Sequence, residues 1–408
     1  MTASRVAIRS LVAAIGLALA VPSPASAQQA PRSFNLSAEE RIALVALQTA
    51  TAGADRAAQD TALAAARAAA RGADARYAVA NYQLQIGQAR ANAQMVDEAV
   101  DALVASGIPQ GAELVPLLAN QATRIFSSGD VRAVDRMLAR MVELQPSNAT
   151  VLADHAQIKA RLGDRAAAVS LMQRAITAQQ AAGQAVPESW YLRALALAFD
   201  GRMAQPTAEF GRGLVAAYPS PRNWRDALLS YRQVGAPDPT LALDINRIRR
   251  AAQGLAGERD YLEAAQALNT AGLPGEAKSV LDEGVSRGML SASEPRVRDL
   301  LAATNPRAAQ GRTTLAGART RALAAATAQE ALAAGDAHFG YGQFAEAAEL
   351  YGAALQKGGD AGLVNLRLGA SLALAGRRPE AEAVLRAVAG PPADLAGFWL
   401  AWLARRTA

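Results

Sequence analysis

The residues that could do chemistry in this chain are few and far apart. A metal site needs clustered histidine, cysteine or carboxylate ligands, and the two histidines, His155 and His338, stand in widely separated parts of the sequence. There is no cysteine, so thiolate catalysis and disulfide bonds are both excluded. A Gly-x-Ser-x-Gly string occurs once, at Gly284 to Gly288 (GVSRG), but no strand pattern leads into it, as the turn that presents a nucleophilic serine requires. One stretch, Gly272 to Ser279 (GLPGEAKS), approaches a phosphate-binding loop in composition. In such a loop the second glycine immediately precedes the lysine, whereas here Ala277 does, and no strand pattern leads into it. It reads better as a turn between two helices. No catalytic residue, metal site or cofactor is therefore expected.

The elements that would position any site are helical. Of the 408 residues 51% are hydrophobic but only 5% aromatic, so the apolar content is mostly alanine and leucine, both strong helix formers. No segment alternates with period two for long enough to suggest a sheet. At the start, Arg5 and Arg9 precede an apolar run from Ser10 to Val21, and Ala25-Ser26-Ala27 follows. That is the pattern of a cleaved signal peptide, 1–27, and places the mature chain in the periplasm or outside the cell. Without Arg5 and Arg9 the formal net charge falls from +6 to +4. No lipid-anchoring cysteine follows the run, and no later stretch is apolar enough to span a bilayer, so no transmembrane anchor is expected after cleavage.

The helical pattern repeats. Gly335, Gly342, Ala347, Tyr351 and Ala354 recur one repeat length further on as Gly369, Gly376, Ala381, Leu385 and Val388. Read backwards, the interhelix glycine returns at Gly129, Gly163, Gly201, Gly235 and Gly272, and a small residue on the first helix at Gly87, Ala122, Ala156, Ala194 and Ala265. Two helices that cross closely need glycine or alanine at the crossing, and a glycine after the first helix can take the left-handed conformation that ends it. Repeat starts fall near positions 80, 115, 149, 187, 221, 258, 328 and 362. Pro206 suggests a second helix that starts late, and Asp244, at a large apolar position, suggests a register slip of one. Asn305-Pro306 offers a turn within 293–327.

This pattern resembles the tetratricopeptide repeat (TPR) family, over roughly Ser37 to Arg406. The resemblance implies an all-α fold, a right-handed α-solenoid of stacked helix-turn-helix repeats. Its parts are a degenerate helix pair at 28–79, opened by the capping box of Ser37 and Glu40, repeats at 80–292, an irregular repeat or helical spacer at 293–327, two clear repeats at 328–395, and a helix at 396–408. That last helix, with Phe398, Trp399 and Trp402, is expected to cap the exposed end. In the family the first helix of each unit lines a groove. The matching positions here are Asn81, Gln88, Asn92, Asn120, Thr123, Gln157, Arg161, Tyr191 and Phe199, then Arg222, Arg225, Arg232, Gln233, Arg259, Gln266 and Asn269. The same polar residues would also simply solvate an exposed helix face. The family's carboxylate clamp does not carry over, since its ninth position is Gln88, Gln157 or Gln266 here.

These readings converge on a non-enzymatic scaffold or adaptor of the bacterial cell envelope, acting in assembly, secretion or polysaccharide export. Amides can pair with a peptide backbone and arginines with carboxylates, so the expected partner is a protein or peptide, with an acidic or C-terminal segment bound. The alternative is a solenoid that binds a glycan chain directly, through stacked aromatics. Nucleic acid is not expected despite a pI near 9.9, because no basic run exceeds two residues and carboxylates stand beside many arginines. Soluble lytic transglycosylases also carry long alanine-rich helical arrays, but their catalysis needs a separate lysozyme-like domain. Here the repeats run almost to the last residue, so none is expected. The oligomeric state is not legible.

Overall fold

The computed structural model describes residues 34–108, 111–234 and 241–405. The signal-peptide reading with its cleavage near Ala27, the turn glycine Gly235 and Arg406 all lie outside these. Among the described residues the chain is an all-α solenoid of paired antiparallel helices with no strand, and it forms two compact units, divided between Ala185 and Val186.

The first unit holds α1 (Ala38–Ala52), α2 (Arg56–Ala69), α3 (Ala73–Ala89), α4 (Ala93–Ala105), a 3-10 turn at Gly111–Leu114, α5 (Val115–Ser128), α6 (Val131–Leu144), α7 (Ala149–Arg161) and α8 (Arg165–Ala181). The second holds α9 (Glu188–Asp200), α10 (Ala204–Ala217), α11 (Pro221–Val234), α12 (Ala242–Ala251), α13 (Glu258–Thr270), α14 (Pro274–Ser286), α15 (Pro295–Ala324), α16 (Ala328–Gly340), α17 (Phe344–Gln356), α18 (Ala361–Leu374), α19 (Arg378–Arg386) and α20 (Ala393–Ala404).

The pairs form because small residues stand where helices cross. A Cβ on Gly335 would lie 2.7 Å from the Tyr351 ring, and one on Gly369 2.5 Å from the Leu385 side chain. These are the same crossing in two successive repeats. Gly87 against Val96 makes the equivalent contact in the first unit, at 2.9 Å. Between paired helices the chain reverses on a left-handed glycine, as at Gly163 (φ 84°) and Gly272 (φ 76°). An aspartate or asparagine often follows and caps the next helix, as Asp164 does by accepting from the Ala167 N–H.

The structure corrects several sequence expectations. Gly201 is right-handed, and its neighbour Arg202 takes the positive φ of 52° instead. The helix placed near position 80 begins at Ala73, because Ala75 and Val79 already face the core. Pro206 does not delay α10: it sits in the first turn, where its missing N–H has no helical partner to lose. The turn at Asn305-Pro306 is not formed, and α15 runs straight through it for 30 residues. Pro306 and Ala302 are both solvent-exposed, so the carbonyl that proline leaves unbonded is open to water.

The last helix, α20, does more than cover the final pair. Phe398 packs against Trp224 and Tyr231 of α11 at ring-centroid distances of 6.2 and 5.9 Å. Trp402 Nε1 donates to the Ala251 carbonyl (3.0 Å), and Arg405 stacks over both Trp224 and Trp402. Asp394 pairs with Arg212 of α10. The helix is apolar nearly all round, so burial on several sides suits it better than a single covered face.

In the first unit one carboxylate ties three elements. Glu40 receives the Ser37 N–H (2.8 Å) in a capping box, and its other oxygen receives the Arg71 and Gly72 N–H groups (2.9 and 2.8 Å) between α2 and α3. Those backbone donors lower its pKa from 4.5 to about 2. A carboxyl depressed in this way contributes stability above its unfolded pKa and loses it as pH falls towards 2. Glu40→Gln should therefore lower the melting temperature at neutral pH, and the gap to wild type should close between about pH 5 and 2. A gap that does not vary with pH would contradict this.

Candidate functional site

In the first unit α3, α4 and α5 enclose a cleft of about 480 Å³. Its apolar floor includes Val96 and Val100, both buried on α4. Gly87 lets α3 lie against α4, and the left-handed Ala91 (φ 51°) turns the chain. Asn92 then starts α4 by accepting the Met95 N–H at 3.1 Å. The walls carry Gln88 and Asn92 on one side and Asn120, Thr123 and Arg124 on the other.

The polar groups of the cleft are nearly neutral in sum. Arg124 is held by Asp97 of α4, with Nε 2.9 Å from Oδ1, so its charge is already matched. Thr123 Oγ1 donates to the Ala119 carbonyl of its own helix (3.0 Å). The side chains of Gln88 and Asn120 are exposed and, among the described residues, make no hydrogen bond. Two free amides over an apolar floor can take a backbone N–H and C=O from an extended chain without reading its side chains.

Of the groove residues expected from the family register, Gln88, Asn92, Asn120 and Thr123 thus come together at one cleft. The rest are placed differently. Asn81 donates to the Tyr77 carbonyl of its own helix, Gln157 is half-buried, and Arg161 lies over the Phe126 ring. Tyr191 is buried, with its ring 2.6 Å from where a Cβ on Gly213 would stand, and Phe199 is half-buried, so neither offers a free stacking face. Arg222 is exposed beside Asp226, whereas Arg225 donates to Asp260 at 3.0 Å and so serves the fold. Arg232 is half-buried and Gln233 exposed. Arg259 pairs with Glu263, Gln266 is exposed, and Asn269 donates to Thr304 Oγ1 at 2.7 Å.

Sequence reasoning missed a buried ion cluster in the second unit. Asp244 marks no register slip: it is 3% exposed and receives a bidentate approach from Arg367 of α18, with Nε and Nη2 at 3.2 and 3.1 Å. Arg247, one turn on, donates to Glu276 of α14 (2.7 Å) and to Asp336 of α16 (3.1 Å). Arg367 also reaches Asp336 (2.8 Å), and Tyr351 of α17 donates its hydroxyl to the same carboxylate (2.7 Å). Burial alone would push both arginines down, but the carboxylates around them raise Arg247 and Arg367 above the ordinary arginine range. Burial, together with the Asp336 charge, drives the Tyr351 hydroxyl up as well. One signal was available: Asp244, Arg247 and Arg367 are charges at positions where helical spacing calls for apolar residues.

The charges of the cluster come from four helices, α12, α14, α16 and α18, and pair with one another, so it is structural. Among the described residues no group of three histidine or carboxylate side chains is arranged so that it could hold a metal ion. His155 is buried against Asp135 (2.9 Å), with its pKa lowered mainly by burial, and His338 is buried on α16.

No family model and no curated protein matches the chain. Among solved structures, one of Naa15/Naa10 bound to HypK-THB is similar at 14% identity, over 86% of this chain and 65% of that one, with a TM-score of 0.30. This chain therefore spans just under two thirds of that chain's length, and a score that low bears on neither partner nor activity.

Removing one member of a buried ion network strands its partners and costs about 3–5 kcal/mol. Arg247→Ala should destabilise the second unit by that order in denaturant titration, because it leaves the buried Glu276 carboxylate without a counter-charge and takes one of two guanidiniums from Asp336. An effect under about 1 kcal/mol, the scale of an exposed pair, would contradict the burial argument.

Proposed function

We propose that the protein is a non-enzymatic TPR-like scaffold that holds an extended segment of a protein partner in the cleft between α3 and α5. The observation that carries this reading is the pair of unbonded amides, Gln88 of α3 and Asn120 of α5, lining one cleft with an apolar floor. The cleft's own guanidinium is neutralised by Asp97, so recognition there is of the peptide backbone and not of a carboxylate. The expectation of an acidic or C-terminal segment moves away from this cleft accordingly.

The setting proposed is the bacterial envelope, with export directed by residues 1–27 and the mature chain acting in assembly, secretion or polysaccharide export. Among the described residues no helix is long and apolar enough to cross a membrane. Direct glycan binding draws no support from this cleft, whose lining contains no aromatic residue. Tyr191, the aromatic groove position, is buried.

Capture of partners from envelope extract by purified protein tests the proposal. Gln88→Ala/Asn120→Ala should weaken capture about tenfold or more, since each amide–backbone bond contributes about 0.5–1.5 kcal/mol. Capture should also be lost when the extract is first digested with protease. Unchanged capture by the double variant, capture that survives protease, or turnover of peptidoglycan by the protein would each sink the reading.

A further inference from the structure

The long helix α15 concentrates charge that looks dispersed in the sequence. Its 30 residues carry six arginines against one carboxylate, Asp299. That is a net charge of +5, nearly the whole excess of +6 carried by the chain. Had the chain turned at Asn305-Pro306, these residues would have been divided between two helices. Run as one helix, they share faces.

Only a narrow stripe of α15 turns inward, at Val297, Thr304, Ala308, Leu315 and Ala322. The arginines divide on either side of it. Arg298, Arg312 and Arg319 are engaged, with Asp299, the Tyr341 ring and Glu349 respectively. Arg296, Arg307 and Arg321 are exposed and, among the described residues, have no partner. At 3.6 residues per turn, Arg307 and Arg321 stand within about 20° of Arg296 around the axis. The three free guanidiniums therefore form one row about 37 Å long at 1.5 Å per residue. Between the arginines along the row the exposed residues are mostly small: Ala303, Thr314 and Gly317, with Gln310.

We infer that this face of α15 docks an acidic helix of a protein partner. Successive arginines of the row stand about three and about four helical turns apart, so carboxylates on one face of a second helix can meet all three guanidiniums. Guanidinium binds carboxylate bidentately. The small residues let two helix axes approach to the near end of the roughly 8–10 Å range. A membrane surface fits less well, because this face lacks the large apolar residues that enter the acyl boundary. Nucleic acid fits less well too, since three arginines over that length meet few of a duplex's closely spaced phosphates and no exposed aromatic accompanies them. This surface is separate from the α3–α5 cleft, and its test leaves that cleft untouched.

The probe is a synthetic alanine-based helical peptide about as long as α15, with glutamates along one face, titrated against the full chain at low salt. It should bind, and Arg296→Gln/Arg307→Gln/Arg321→Gln should weaken binding by about tenfold or more. Arg298→Gln/Arg312→Gln/Arg319→Gln, which removes the same charge from the other flank, should change it by less than about threefold. On wild-type protein, bound peptide should protect Arg296, Arg307 and Arg321 from phenylglyoxal modification, a readout independent of any variant's folding. Equal losses in the two triple variants, equal binding of a peptide with the glutamates scattered around the helix, or no protection would overturn the proposal. So would tighter binding to phosphatidylglycerol vesicles or to duplex DNA than to the peptide.

Discussion

The contact on which the second unit most depends is that of the Tyr351 ring lying on Gly335. Only glycine admits an aromatic ring at that distance, so α16 and α17 cross closely there. The same contact carries the tyrosine hydroxyl onto Asp336, the residue next to Gly335. Asp336 is then fixed where Arg247 of α12 and Arg367 of α18 can both reach it. A local rule, small against large at a crossing, thereby becomes a long-range tie between helices distant in sequence. Without the close crossing, two buried carboxylates, the half-buried Asp336 and two buried guanidiniums would lack the geometry that makes their burial tolerable.

Local rules were legible in the sequence, and long-range ties were not. The repeat period alone marks Gly335 with Tyr351 and Gly369 with Leu385, because a helix crossing leaves its mark on residue size. The capping box at Ser37 and Glu40 was equally plain, since both partners lie within one turn. The further bonds from Arg71 and Gly72 to the same carboxylate were invisible, being set by how α2 meets α3. Asp244 was misread for the same reason: taken alone a buried aspartate is a defect, and only the distant Arg367 makes it a partner. Pro306 misled differently. Its local preference to break a helix was overridden where the freed carbonyl faces water.

The family register gave a mixed return for the site. It brought Gln88, Asn92, Asn120 and Thr123 to one cleft, because α5 starts where the repeat places it and α3, though it begins early, keeps Gly87 at the crossing with α4. It failed to gather the arginines of α11, since Arg225 is drawn into a bond with Asp260 that the register does not describe. A row of three unpaired arginines lies instead on α15, the element that fits the repeat least. The two proposed recognition chemistries are thus separated along the chain, backbone amide pairing in the first unit and guanidinium pairing in the second.

The central claim, that the α3–α5 cleft holds a partner's extended backbone, is tested most directly by photo-cross-linking in the producing cells. A photoreactive phenylalanine analogue is placed in turn at Gln88, Asn120 and, as an exposed control outside the cleft, Gln266. The account predicts protein adducts at positions 88 and 120 that map by mass spectrometry to one short segment of the same partner, with no such adduct at 266. Adducts at all three positions alike, or none at 88 and 120, would contradict it.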